Sequence, residues 1–105
     1  MEPTLLYITA SNREEAISIA RELVHSRLVA CANIVEHAMS MYWWQGEIEH
    51  DTEALVIAKT LSSHVDRAVA KAKELHSNSC PCVLAVPIVG GNPEYIAWLR
   101  AEVHG

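Results

Sequence analysis

Only four glycines occur in the 105 residues, too few to build the backbone cradles that hold phosphate groups. The chain also has no G-x-S-x-G, no glycine-rich phosphate loop, no H-E-x-x-H and no dinucleotide fingerprint. No candidate nucleophile has an adjacent base and a third orienting group. The chain therefore reads as non-enzymatic. Basic residues are scarce as well, eight Lys and Arg against 13 Asp and Glu for a formal charge of −5, and they are scattered. A nucleic-acid surface needs them clustered, so polyanionic partners are excluded. Cysteines number three, an odd count that makes no disulfide framework and stays as thiols in a reducing compartment. The opening residues, MEPTLLYITASNREEA, lack a basic segment, and their apolar run is too short for a signal sequence or a membrane span. The expected address is the cytoplasm, with no membrane partner.

What is present is enough for one domain, 1–105, in which 50% of residues are hydrophobic and 20% charged. Its organising stretch is Ala30 to Leu61, ACANIVEHAMSMYWWQGEIEHDTEALVIAKTL. β-formers run up to Gln45-Gly46 and resume at Ile48, which reads as two long strands folded back on each other. Ordinary strands have about five or six residues, and a small domain cannot cover arms twice that length. The uncovered edges and the apolar side chains Met39, Met41, Tyr42, Trp43 and Trp44 invite other copies, so an oligomer is expected.

Around the hairpin, Thr4 to Thr9 reads as a short covered strand. Ser11 with Glu14 reads as a capping box, opening a helix from about Asn12 to Arg27 with Ala16, Ile19, Ala20, Leu23, Val24 and Leu28 at helical spacing. Strict alternation puts Cys31, Asn33, Val35, His37, Met39, Met41 and Trp43 on one face of the first arm, and Ile34, Glu36, Ala38, Ser40, Tyr42 and Trp44 on the other, unless a bulge intervenes. The second arm is apolar on both faces and is expected to be central. Such a pattern leaves the hairpin register open. Ser62 and Ser63 supply a cap for a second helix ending near His76, with Val65, Ala68, Val69, Ala72 and Leu75 as its stripe. Val83 to Val89 forms a fourth strand whose Pro87 places it at an edge or a bulge. Asn92 caps a last helix with Pro93 at its first position, running Glu94 to Val103. The order β-α-β-β-α-β plus a C-terminal helix is the α+β, ferredoxin-like arrangement with a long central hairpin. The open sheet face needs a cover, from neighbouring copies or from the last helix.

The runs L-V-A-C-A-N-I (Leu28 to Ile34), S-M-Y-W-W-Q-G-E-I-E (Ser40 to Glu49), E-A-L-V-I-A-K-T (Glu53 to Thr60) and P-I-x-x-G-N-x-x-Y-x-x-W-L (Pro87 to Leu99) together resemble the CutA family of divalent-cation tolerance proteins. The resemblance covers essentially the whole chain. It implies a PII-like homotrimer with interlocked hairpins and a role in divalent-metal tolerance, with copper the metal most often named. Family members commonly have H-P-Y-x-x-P after the second helix, where this chain reads H-S-N-S-C-P-C. In members proposed to bind copper, the ligand positions correspond to Ile8, Leu75 and His76; only the last is of a ligand type here.

Three sets of residues are candidate sites. His76, Cys80 and Cys82 combine imidazole and thiolate, ligands suited to Cu(I) or Zn(II), and three copies in a trimer complete a partial set. Their C-P-C spacing differs from the usual C-x2-C chelate, and loop cysteines also arise by chance. His37, Met39 and Met41 form a soft-donor stripe in the first arm, where methionine also serves as gap-filling core. Asn33, Tyr42, Trp44, Glu53 and Lys59 are polar or aromatic groups within apolar strands. There, a lysine sends its amine to the rim or pairs with a carboxylate such as Glu53, in its own chain or across a subunit boundary, because burying an ammonium alone is costly. That set reads either as an interface that fixes hairpin register or as an anion-binding intersubunit cleft. His25, His50, His64 and His104 read as solvated, and Cys31 as a small buried hydrophobe. The leading expectation is a non-enzymatic trimer that binds divalent or copper ions, with no other cofactor. The alternatives are a PII-like sensor of a small anion and a stable structural scaffold.

Overall fold

The computed structural model describes residues 1–104. Its elements are β1 (Pro3–Ala10), α1 (Arg13–His25), β2 (Cys31–Trp44), β3 (Glu47–Leu61), α2 (Val65–Leu75), β4 (Val83–Pro87) and α3 (Pro93–Glu102), with a 3-10 turn at Ser62–His64 before α2. The strands form one antiparallel sheet in the order β2-β3-β1-β4. The expected ferredoxin-like topology is therefore present. β3 is central, as its apolar character on both faces required, and β4, with Pro87 at its end, lies at the edge.

Hairpin closure is local. Trp44 pairs with Glu47 across Gln45 (φ 51°) and Gly46 (φ 85°), and two positive φ angles in a two-residue loop match the twist of the flanking strands. The first arm departs from strict alternation at one place. Val35 faces Leu55 but Ala38 faces Glu53, so Glu36 and His37 together oppose Ala54 in a β-bulge, with His37 in the left-handed region (φ 64°). The extra residue reverses the face of everything beyond it. Cys31, Asn33 and Val35 share their face with Ala38, Ser40, Tyr42 and Trp44, not with Met39, Met41 and Trp43 as uninterrupted alternation would have it.

Helices α1 and α2 cover one face. Leu6, Ile8, Ala10, Ala54, Val56 and Ala58 from the sheet bury against Ala16, Ile19, Ala20 and Leu23 of α1 and Ala68 and Ala72 of α2. The many alanines let the helices approach the sheet closely, while Leu6, Ile8, Ile19 and Leu23, all fully buried, supply most of the apolar area. On the opposite face, α3 seats Leu99 and Val103 on Leu61 and Ala30 and covers only that end. Val35, Leu84, Val86 and Trp44 stay exposed there, while on the other face of the hairpin Met39 (84%) and Trp43 (72%) are more exposed still.

Helix starts differ in detail from the sequence pattern. Asn12, not Ser11, caps α1, its side chain accepting from the Glu15 amide at 2.8 Å; Ser11 instead bonds Ser77 at 2.9 Å. α2 has no side-chain cap. Ser62 accepts from the Glu2 amide at 2.9 Å and the Ser63 hydroxyl meets His64 Nδ1 at 2.8 Å, because the 3-10 turn intervenes. His64 is buried, its Nε2 3.0 Å from the His104 carbonyl oxygen, and is not solvated. Asn92 caps α3 and Pro93 opens it, as expected.

Left-handed backbone costs a non-glycine residue about 1–2 kcal/mol, and β-branched residues tolerate it least. His37→Gly is thus expected to raise the denaturant midpoint, by the equivalent of up to about 1 kcal/mol, and His37→Val to lower it. Urea unfolding at fixed protein concentration checks both signs.

Candidate functional site

The 76–82 loop sits against the end of β1. His76 has its side chain fully enclosed, with Nε2 donating to the Thr9 carbonyl oxygen at 2.6 Å and Nδ1 3.1 Å from Glu15 Oε1 and 3.0 Å from the Asn78 amide nitrogen. With the ring neutral, the amide donates to Nδ1; with it protonated, Nδ1 donates to the carboxylate. Both ring nitrogens are engaged in either state. His76 therefore ties the loop to β1 and α1, and it does not join Cys80 and Cys82 in a ligand set. Among the described residues, no three His, Cys, Asp or Glu side chains lie close enough to share an ion. The three-ligand site expected at His76, Cys80 and Cys82 is thus not assembled within one chain. The sequence showed the ligand types but not that burial had already committed the histidine.

Glu15 completes this anchor, accepting from the Ser77 hydroxyl at 2.7 Å and the Ser77 amide at 3.2 Å. Burial by itself would raise its carboxyl. The Ser77 hydroxyl and amide, His76 and Ser11 together outweigh that and hold it below the usual glutamate range.

Cys80 is exposed and Cys82 half-buried, both as free thiols. They line a cleft of about 650 Å³ together with Met39, Met41, Tyr42, Trp44 and Glu53, Tyr7 and Thr9 of β1 lining it too. No lysine or arginine lines it. The C-P-C loop and the Met39/Met41 pair, separate in sequence, both border this cleft, with Met39 and Met41 on the strand face opposite Tyr42, Trp44 and Glu53. His37, the third member of the stripe, sits in the bulge. Tyr42 donates to Asp51 Oδ2, and that bond, with the surrounding carboxylates, pushes its phenol up to about 12.

The bulge puts Asn33, Tyr42, Trp44, Glu53 and Lys59 on one face of the sheet, yet they form two groups. Tyr42, Trp44 and Glu53 line the cleft. Lys59 lies toward α3, six residues along β3 from Glu53. It bonds Asn33 Oδ1 at 3.1 Å and reaches Cys31 Sγ at 3.7 Å, so within one chain the amine meets Asn33 and not Glu53. Cys31 is half-buried and meets the Tyr95 hydroxyl at 3.4 Å, a polar setting unlike that of a plain buried hydrophobe. Tyr95 was not singled out by sequence. Its place at the first turn of α3, the helix that covers this end of the sheet, was the available signal.

The class defined is a ferredoxin-like α+β protein with an overlong hairpin, beside which thiols, thioethers, aromatics and a carboxylate line a cleft. The CutA1 divalent ion tolerance protein family matches residues 4–102. The divalent-cation tolerance protein CutA of Thermus thermophilus is 43% identical over 100 residues, 95% of this chain and 96% of that protein. The chloroplastic protein CutA 1 of Oryza sativa is 38% identical over 91% of this chain, which spans only 54% of that longer relative. The crystal structure of CutA from Xylella fastidiosa superimposes with a TM-score of 0.94 at 35% identity, covering 99% of this chain and 100% of the other. The chain belongs to the CutA1 family.

Because the Glu15 carboxyl is depressed in the folded state, its contribution to stability is present above the unfolded glutamate value, about 4.3, and is lost as pH falls through the lower folded value. Glu15→Gln is expected to flatten the acid limb of the stability curve below about pH 4.5 and to lower stability at neutral pH. Urea midpoints from pH 3 to 7 check this.

Proposed function

We propose that this protein works as a homotrimer that binds divalent or copper ions and contributes to metal tolerance without catalysing a reaction. The observation that carries the reading is the one cleft bordered by Cys80, Cys82, Met39, Met41 and Glu53. Thiolate and thioether donors favour Cu(I) and Zn(II) over harder ions. A nearby carboxylate and the absence of lining cations leave the cleft attractive to positive charge. The metal ligands on this reading are Cys80 and Cys82, completed by methionine sulfur or by a second copy, with His76 holding the loop that presents them. The membership in a family named for divalent ion tolerance supports the same reading.

The trimer is supported by what one chain leaves uncovered. Met39, Met41, Trp43, Ile48, Leu84 and Val86 are between 49% and 84% exposed, and the outer edge of the 14-residue β2 is unpaired within the chain. Edges and apolar strips of that size are ordinarily covered by other copies. Three free cysteines fit a reducing compartment such as the cytoplasm.

The test is anaerobic titration of Cu(I) and Zn(II), in competition with a chromophoric chelator, into wild type and a Cys80→Ser, Cys82→Ser variant. The expected outcome is stoichiometric binding by wild type and a loss of about 100-fold or more when both thiolates are removed. Wild type that takes up neither ion contradicts the reading.

A further inference from the structure

At the α3 end of the open sheet face, Lys59 is a half-buried ammonium with no carboxylate partner among the described residues. Its contacts are Asn33 Oδ1 at 3.1 Å, Cys31 Sγ at 3.7 Å and the Tyr95 ring, whose centroid is 5.9 Å away. None of these carries a fixed negative charge. An ammonium drawn partly out of water is poorly compensated by such partners and gains most from an anion. The strand register explains why it is held there. Lys59 faces Cys31 on one side and Leu5 on the other, between the buried Ala58 and Thr60, so its stem lies over apolar sheet and only the amine reaches polar groups.

We propose that Lys59, Asn33, Cys31 and Tyr95 form a receptor for a small oxyanion, the carboxylate or phosphate end of a small molecule. Lys59 supplies the charge. Asn33 spends its carbonyl oxygen on Lys59 and keeps two amide N–H donors, and the Tyr95 hydroxyl adds a third donor beside Cys31. Within one chain Asn33 is exposed and Tyr95 is 41% exposed. The Tyr95 ring, braced by Trp98 at 5.3 Å between centroids, walls off one side of the ammonium and favours a small ion over a protein side chain. This receptor uses none of the groups that line the thiol cleft, so it stands or falls separately from the metal reading.

The experiment is calorimetric titration of sodium phosphate and, separately, sodium acetate into the full-length protein in its native oligomeric state, at pH 7 with ionic strength held constant by sodium chloride. Saturable binding of at least one anion is expected, with the choice between them identifying phosphate or carboxylate as the recognised end. Lys59→Met is expected to weaken it by about tenfold or more, as loss of a charged hydrogen-bond donor does. Tyr95→Phe, which deletes only an exposed hydroxyl, is expected to weaken it severalfold and serves if the lysine variant does not fold. The Cys80→Ser, Cys82→Ser variant should bind as wild type does. Absence of saturable binding by wild type overturns the proposal, including the case in which a carboxylate of a second copy already occupies Lys59. Affinity unchanged in a folded Lys59→Met, or in Tyr95→Phe where Lys59→Met does not fold, overturns it as well.

Discussion

The double pairing of β3 is the constraint on which the rest of the molecule depends. Residues 55 to 59 of that strand are bonded to β1 on one edge and to β2 on the other. This leaves no freedom to shift either neighbour without breaking a ladder. Its even-numbered residues Ala54, Val56 and Ala58 are sealed under the helices, so a slip of one residue would expose the core and bury Lys59. The hairpin can then extend well beyond the helices without losing its register, because that register is set where β3 lies inside the four-stranded sheet and is covered.

The bulge at Glu36 and His37 converts that rigid base into a useful face. By adding one residue to β2 alone, it brings Tyr42 and Trp44 round to the side of Asn33, Lys59 and Glu53. The open face becomes polarised along its length. Glu47, Glu49, Asp51 and Glu53 follow one another on the outer part of β3, while Lys59 stands alone toward α3. At a net charge of −5, the acidic end carries a potential that favours cations, and Lys59 offsets it locally at the other end. His37 tolerates the left-handed conformation the bulge demands better than most residues, which explains an otherwise ordinary histidine in the middle of a strand.

The loop after α2 shows the same economy of parts. A buried histidine held by Thr9, Glu15 and Asn78 fixes the start of the loop, and the Thr9 amide donating to the Cys82 carbonyl oxygen at 3.1 Å fixes its end. Cys80 between these anchors and Cys82 at the second border the cleft on a backbone tied down on both sides. Preorganisation of that kind reduces the ordering cost of binding.

The sequence by itself determined the elements and their order. Apolar periodicity marked the helices, the two-sided apolar second arm marked a central strand, Gln45-Gly46 marked the turn, and Asn92-Pro93 marked the last helix, all signals carried by neighbouring residues. Family motifs along the chain were legible for the same reason. Only the tertiary structure decided which of the chemically interesting side chains meet. The bulge is a one-residue choice made by the β3 ladder and the core beneath it, and it alone sets the face of Tyr42 and Trp44. His76 looked like a free ligand until packing against β1 and α1 engaged both its nitrogens. Within the chain, strand geometry set Lys59 apart from Glu53 and put Asn33, Cys31 and Tyr95 around the amine. Such meetings join residues tens of positions apart, and no local pattern encodes them.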